Sequence, residues 1–325
     1  MPTPINLKDT QEFKLFYNQR YSQHYMEDWP QKKKDRILEI IKQSKLATTG
    51  RALDFGCGNG VWTDIIKKAL PSWDVLGTDI SSTAISNAQK RYPHLKFFEL
   101  SDERVFEGGF DFLFSHHVLE HVLDINETFD RMNRFLLKSS SMLHVLPCGN
   151  PGSLEYEIAS LVRNGIDRRN GRFFFEEAGH LRRLNTAQMN SLAKKYAFHL
   201  NRAYYACHYW ESMEVIAARN PTSTLAITDQ KIALNEEAKW KLRKFRNMLL
   251  PISVLRFPAL ELEERKPWRF RGKRRLFGNL GFGALYPLSF PVNALIKSLG
   301  DREWNTSKFE QNGSEMYLLY KRNTG

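Results

Sequence analysis

Apolar and polar positions change rhythm twice along the chain. Residues 7 to 48 read as polar helix broken at Pro30, and "RILEIIKQSKL" sets Ile37, Leu38, Ile40, Ile41 and Leu46 close to helical period. From Arg51, short apolar runs alternate with amphipathic ones. "RALDF" reads as a strand, "VWTDIIKKAL" as a helix stopped by Pro71, "WDVLGTDI" as a strand and "STAISNAQKRY" as a helix ended by Pro93. "HLKFFEL" and "FDFLFS" follow as strands, then the helix "INETFDRMNRFLL" and the strand "SMLHVLP". Alternation at this spacing predicts a parallel sheet with helices on both faces.

After Pro147 the alternation stops. Residues 151–183 are Gly-rich at their turns and read as an insertion over the C-terminal edge of the sheet. "NTAQMNSLAKKYA" restores a helix, with Asn185 or Thr186 as its N-cap. "FHLNRAYYA" reads as a sixth strand and "SEMYLLYKR" as a seventh. The expected organisation is a helical cap (1–48), an α/β core (49–205), a basic and aromatic helical insertion (206–312) and a closing strand (313–325).

Composition adds modest constraints. The chain has 325 residues, 42% of them hydrophobic, enough for a substantial core. Lys and Arg total 48 against 36 Asp and Glu, and a formal charge of +12 favours anionic partners without choosing among them. Cys57, Cys148 and Cys207 are isolated, a count that suits a reducing compartment. No apolar run reaches the ~18–20 residues of a membrane span. The N-terminal stretch lacks the apolar core of a signal peptide. A cytoplasmic protein is expected, with peripheral membrane contact as an extension of that reading.

The chemistry concentrates in "LDFGCGNG". Gly56, Gly58 and Gly60 follow a strand directly and open a helix, where a nucleotide-like ligand needs close backbone approach. Val61 stands where G-x-G-x-x-G would need its last glycine, and no Lys-Ser/Thr follows. Neither a dinucleotide fingerprint nor a P-loop is complete. Asp54 precedes the turn, where its carboxylate can meet a cationic group. Asp79 ends the second strand, where a carboxylate can accept both hydroxyls of a ribose. Either acid alone could be a turn or helix cap. Together, around a glycine turn in a βαβ unit, they point to a ligand.

"SHHVLEH" raises a different chemistry. His117 to His121 matches H-x-x-E-H, a zinc-peptidase spacing. A metallopeptidase would need that motif on a long helix with a further ligand, and no other metal-ligand spacing stands out. No metal is therefore expected. His117 to His121 is expected instead to begin a helix after the fourth strand.

These motifs together resemble the class I S-adenosylmethionine-dependent methyltransferases. "ALDFGCGNG" is similar to their first motif, "LGTDIS" to their second, and "FDFLFSHHVLEHV" to the fourth-strand motif of the subgroup carrying "vlEHv". The resemblance covers about 50 to 147 and extends weakly through "GHLRRLNTAQMNSLAKKYAFHL". It implies a Rossmann-like, doubly wound, seven-stranded and mostly parallel sheet that binds S-adenosyl-L-methionine. Asp54, Gly56, Gly58 and Gly60 would hold the methionine part of the cofactor, Asp79 the ribose, and Ile80 would lie against the adenine. Asp102 would meet the adenine amine, with Glu99 as the alternative. Ser115 and His116 would lie at the strand end where the ligand binds, and the Glu120–His121 pair would pack against the glycine turn.

Two features depart from the family. "LLKSSSM" replaces a common glycine pair before the fifth strand. The N/D-P-P-Y/F motif of base and glutamine N-methylating relatives is absent after the fourth. The implied acceptor is therefore an oxygen, ahead of an amine, on a small molecule, sugar or lipid-linked intermediate. A histidine suits removal of a hydroxyl proton because its pKa is near 6.5. His180 leads as base or acceptor contact, with His116 and His117 behind it.

Between Lys239 and Arg275 lie thirteen Lys or Arg and three acidic residues, with Trp240, Phe245, Phe257, Trp268 and Phe270 interleaved. "KPWRFRGKRR" is the densest part, and an apolar stretch broken by Pro287 and Pro291 follows. A lid over the acceptor pocket is the first reading. Contact of 239–299 with an anionic membrane is the second, and an RNA-binding surface, including an RNA methyltransferase, the third. From another functional class, the competing reading is a non-catalytic cofactor-binding scaffold that uses this basic face.

Overall fold

The computed structural model describes residues 9–23, 25–102, 106, 108–263 and 273–323. Its seven strands are β1 (Arg51–Phe55), β2 (Asp74–Asp79), β3 (Lys96–Glu99), β4 (Phe110–His116), β5 (Leu136–Pro147), β6 (Phe198–Ala206) and β7 (Glu315–Arg322). They form one sheet in the order β3-β2-β1-β4-β5-β7-β6. Strands β1 to β5 pair in parallel, and β7 runs antiparallel between β5 and β6. The order reverses between β1 and β4, and ligands of open α/β sheets bind beyond the strand ends at such a reversal.

Both faces of the sheet are covered, so its central strands are buried along almost their whole length. On one face Leu53, Leu113, Met142 and Leu318 pack with Phe129 and Met132 of α5 (Ile125–Phe135) and Met189 of α7 (Thr186–Lys194). On the other, Ala52, Phe112, Phe114 and Leu143 meet Ile65 and Ile66 of α3 (Val61–Ala69) and Ile37, Ile40 and Ile41 of α2 (Gln31–Gln43). The periodic stripe in "RILEII" is thus the buried face of α2. Helix α4 (Ser82–Arg91) follows β2 and is capped by Ser81, whose Oγ accepts from Ala84 N at 3.1 Å. A capping box between Asn185 and Gln188 starts α7.

Two local expectations change. His117 to His121 does not begin a helix. His117 has φ +52°, a left-handed backbone that ends β4, and the chain loops until Asp124 caps α5 by accepting from Asn126 N and Glu127 N. "LLKSSSM" is not a turn either: β5 begins at Leu136 directly after α5 and absorbs the offset as a register shift opposite Phe110–Phe112.

Helix α1 (Thr10–Ser22) lies across the C-terminal ends of β1 and β2. Between β6 and β7 the chain makes α8 (Trp210–Ser212), a π-helical turn (Met213–Ala217), α9 (Pro221–Ile227), and the long α10 (Glu236–Glu263) and α11 (Lys273–Ser307). Leu154 and Ile158 of α6 (Leu154–Ser160) and nearby Val162 share an apolar cluster with Met213, Ile227, Leu242, Leu249 and Ile296. The segment after β5 and the insertion after β6 therefore pack as one layer. Arg256 is wholly buried there, donating from Nε and Nη2 to Asn293 Oδ1 at 3.1 Å and from Nη1 to Met213 O at 3.3 Å. Residues 264–272, which hold most of "KPWRFRGKRR", lie outside the described residues. Among the described residues no helix is long and apolar enough to cross a membrane. Cys57, Cys148 and Cys207 are free thiols.

Candidate functional site

Asp54, at the end of β1, is fully buried. Its Oδ2 accepts from Thr63 Oγ1 at 2.6 Å, while Oδ1 has no hydrogen-bond partner among the described residues. Burial pushes its carboxyl up to about 7. An orphaned acceptor of this kind fits a cationic ligand group, because an unpaired buried acceptor is costly. The turn beside it is stitched to β2, with Gly56 N and Cys57 N both donating to Thr78 O at 2.8 Å.

The glycines at 56 and 60 are required by conformation and space together. Gly56 has φ +78°, and a Cβ there would lie 2.4 Å from Val118 Cγ2. Gly60 has φ +81° as the N-cap of α3, and its Cβ would lie 2.8 Å from Phe97 Cζ. Asp79 accepts from Gly58 N and Ser81 N, one on each oxygen, both at 2.9 Å. Burial raises its carboxyl to about 6. Each oxygen keeps a further acceptor site for a hydroxyl.

Asp79, Ile80, Leu100 and Gly56 line one cleft, roofed by Phe13, Tyr17 and Tyr21 of α1. These aromatics were missed by reading residues 7–48 as polar. The signal was present, since Phe13, Tyr17, Tyr21 and Tyr25 recur every four residues, one helix face. Asp102 and Glu99 are not on this cleft's lining. Asp102 is exposed, and Glu99 is held by Lys14 Nζ at 2.6 Å. Leu100 takes the place expected of an acid, because β3 ends at Glu99 and the next backbone bond, Leu100 N to Asp79 O at 2.9 Å, turns that residue toward the cleft.

The histidines divide sharply. Ser115 lies within the sheet, paired with His144 Nδ1 at 2.7 Å, and lines neither the cleft of Asp79 nor that of His180. Side chains alternate along a strand, so His116 faces the opposite side. There it sits between the indoles of Trp29 and Trp62, with ring centroids 4.4 Å away, and burial drives its pKa well below the usual value. His117 Nδ1 meets Glu120 Oε1 at 2.6 Å and its Nε2 meets Glu315 Oε1 at 3.1 Å. Burial and Lys33 oppose its protonation, yet the two carboxylates prevail and its pKa is raised. His117 is thus held at both ring nitrogens by carboxylates, in a network that Lys33 joins through Glu315.

Val118 packs against the glycine turn, while Glu120 and His121 make their hydrogen bonds elsewhere. Glu120 O accepts from Leu181 N at 2.8 Å, and His121 Nδ1 donates to Gly179 O at 2.9 Å. Arg182 adds bonds to Leu119 O at 3.1 Å and Leu123 O at 2.9 Å. The loop after β4 is thereby fastened to the segment carrying His180. His180 Nδ1 lies 3.0 Å from Glu176 Oε2, which fixes the ring and leaves Nε2 as an acceptor.

His117 and His180 also line a second cleft of about 800 Å³, together with Phe174, Phe175, Trp29, Ile216 and Ile227. Arg183 forms part of its wall, paired with Glu176 Oε1 at 2.7 Å and Glu155 Oε2 at 3.2 Å. A narrower pocket lined by Gly56, Gly58, Tyr21, His116, His121 and His180 joins the two clefts.

A seven-stranded sheet with one antiparallel strand, an acid-flanked glycine turn at its reversal and two joined clefts define an α/β domain built to present a nucleoside cofactor to a second ligand. The chain belongs to the family described as "Methyltransferase domain", which it matches over residues 22–201. This is an S-adenosylmethionine-binding family, and the orphaned Asp54 Oδ1 and the glycine cradle fit that cofactor. Among curated proteins, the chain is 25% identical over 138 residues to protein 235L of Invertebrate iridescent virus 6, which carries a methyltransferase name, covering 42% of this chain and 50% of that one. It is 29% identical over 97 residues to trans-aconitate 2-methyltransferase of Variovorax paradoxus, covering 29% of this chain and 37% of that one. The chain thus spans half or less of these relatives' length. Among solved structures it is similar to phosphoethanolamine N-methyltransferase 2 of Haemonchus contortus in complex with S-adenosyl-L-methionine, at 15% identity, 89% and 53% coverage and a TM-score of 0.47.

Proposed function

We propose that the chain is an S-adenosylmethionine-dependent methyltransferase acting at an oxygen of a small molecule, sugar or lipid-linked acceptor. The observation that carries this reading is His180: its Nδ1 is held by Glu176, and its ring borders both the large cleft and the pocket joining it to the glycine turn.

In this reading Asp54 Oδ1 and the backbone of Gly56 to Gly60 take the charged amino-acid end of the cofactor, Asp79 the ribose hydroxyls, and Ile80 and Leu100 the adenine faces. Bound there, the cofactor supplies an electrophilic methyl carbon. The chain must align the acceptor with that carbon and relieve the acceptor oxygen of its proton. His180 Nε2 addresses that oxygen. Phe174, Phe175 and Trp29 exclude water from the cleft that holds the rest of the acceptor. His117, with both ring nitrogens engaged by Glu120 and Glu315, is not the proton acceptor.

The test uses calorimetry with S-adenosylhomocysteine, then product release over a panel of hydroxylated small molecules, sugars and lipid-linked sugars. Binding with turnover that collapses in His180→Ala is expected. No binding sinks the cofactor reading; near-normal turnover of His180→Ala removes that residue from the mechanism. Binding without turnover on any panel member moves the protein to the scaffold class.

One observation favours membrane contact for the insertion. Leu285, Leu288, Phe290 and Leu295 of α11 and Val254 and Leu255 of α10 are large apolar side chains left exposed on one helical hairpin. With the positive charge of this region, an anionic bilayer surface is a fitting partner. Flotation with phosphatidylglycerol vesicles checks it, since a soluble lid stays at the bottom of the gradient.

A further inference from the structure

Three acceptors where the loop after β4 meets the segment carrying His180 have their other polar atoms already spent. His121 donates from Nδ1 to Gly179 O, which leaves Nε2 with its lone pair. His180 is held at Nδ1 by the Glu176 carboxylate, which leaves its Nε2 likewise. Glu120 gives Oε1 to His117, while its Oε2 is buried with no hydrogen-bond partner among the described residues, in a side chain 1% exposed. One donor atom from each of the three lies within 4.8 Å of the others. The imidazole rings of His121 and His180 stand 4.8 Å apart, and both Nε2 atoms lie near Glu177 Oε1, at 4.0 and 3.9 Å.

We propose that Glu120, His121 and His180 bind a divalent transition-metal ion. Two neutral imidazoles and a carboxylate suit Zn²⁺, Mn²⁺, Fe²⁺ or Co²⁺. A metal-bound histidine characteristically donates its other ring N–H to a carbonyl or carboxylate, which fixes the tautomer. Both histidines already do so, one to Gly179 O and one to Glu176. The bonds from Leu181 N and Arg182 to the loop after β4 hold the two ligand-bearing segments together before any ion arrives. Ligands ~2.0–2.1 Å from one ion sit ~3.3 Å apart, so the widest pair closes by at most about 1.5 Å. Glu177 is already held by Arg20 at 2.7 Å and by Tyr25, so the remaining coordination positions are left to water or the acceptor.

The neighbouring group of His116, His117 and Glu315 also gathers potential ligands. It already holds a cation, because Lys33 Nζ pairs with Glu315 and lies 3.3 Å from His117 Nε2. A second positive charge there would be repelled at short range.

The role of the ion rests on the methyl-transfer reading; its binding does not. A coordinated hydroxyl of the acceptor becomes acidic near neutral pH. Its proton passes to water, and the acceptor oxygen bonds to the methyl carbon as the carbon–sulfur bond breaks and the electron pair stays on sulfur. His180 then acts as a ligand rather than as an unaided base.

The experiment titrates the chelator-stripped full chain with cobalt chloride, following visible absorption and calorimetric heat, with S-adenosylhomocysteine titrated in parallel. One equivalent of Co²⁺ is expected, with affinity falling at least a hundredfold in His121→Ala/His180→Ala and in the shape-conserving Glu120→Gln. Should the double variant misfold, as circular dichroism would show, the wild-type stoichiometry and Glu120→Gln still decide. Wild-type protein that takes up no stoichiometric Co²⁺, or Glu120→Gln that binds as wild type does, overturns the site. S-adenosylhomocysteine binding without Co²⁺ binding overturns the metal alone. The reverse pattern leaves the metal and overturns the methyl-transfer reading.

Discussion

Val118 occupies the space that a side chain on Gly56 would need: a Cβ there would stand 2.4 Å from Val118 Cγ2. The glycine turn after β1 and the loop after β4 are thus packed in direct contact, and the cleft proposed for the cofactor depends on that fit.

Gly56→Ala combines a positive φ with this collision. Strain at φ +78° costs ~1–3 kcal/mol, and the added methyl must displace Val118. Urea unfolding is expected to show a loss of that order, with S-adenosylhomocysteine affinity at least tenfold weaker by calorimetry. Unchanged affinity would show that the turn does not touch the ligand.

Asp54 carries a pH signature. Its carboxyl is raised from 3.8 to about 7, so between those values the folded chain binds more protons than the unfolded one. Stability contributed by the protonated form is full below about pH 4 and is lost as pH rises through about 7. A cationic group docking on Oδ1 ionises this acid. Calorimetry at pH 6 to 7, in two buffers of different ionisation enthalpy, should therefore reveal proton release on S-adenosylhomocysteine binding, fading by pH 8.5. Proton uptake would contradict this account.

Arg183 is a stability residue in the wall of the second cleft. It is fully buried between Glu155 and Glu176 and also donates to Cys148 O and Ser314 O at 2.8 Å. Arg183→Met removes the guanidinium that both buried carboxylates share, a loss of ~3–5 kcal/mol. Chemical denaturation should read it directly.

Tyr21 roofs the cleft of Asp79 and Ile80, with its hydroxyl 2.8 Å from the Cβ position of Gly58. Tyr21→Ala should weaken S-adenosylhomocysteine about tenfold, ~1.4 kcal/mol, while the Arg20–Glu177 pair at 2.7 Å keeps α1 docked. Unaltered binding would mean that α1 does not close over the ligand.

What could be read from sequence follows the range of the interactions that encode it. The strands of the core and the helices between them are written in local periodicity, and Asp54, Gly56, Gly60 and Asp79 announce themselves because a tight turn between strand and helix leaves few residue choices. The aromatic face of α1 was equally local but lay among polar neighbours. Asp102 failed because the turn after β3 aims Leu100, not the acid, at the cleft. The helix expected at His117 failed because a left-handed φ is set by how β4 ends against β5, with His117 N donating to Val145 O at 2.8 Å.

By itself, then, the sequence determined the alternating α/β core, the glycine turn and its two acids, since each depends on contacts within a few residues. Only the tertiary structure decided which histidine meets which partner. His117 to His121 matches a zinc spacing, yet the loop turns His117 to Glu315 and Lys33 and sends His121 to Gly179. The residue that completes the cluster, His180, comes from a segment 59 positions further on. Such convergence is fixed by long-range hydrogen bonds and packing, which no window of sequence contains.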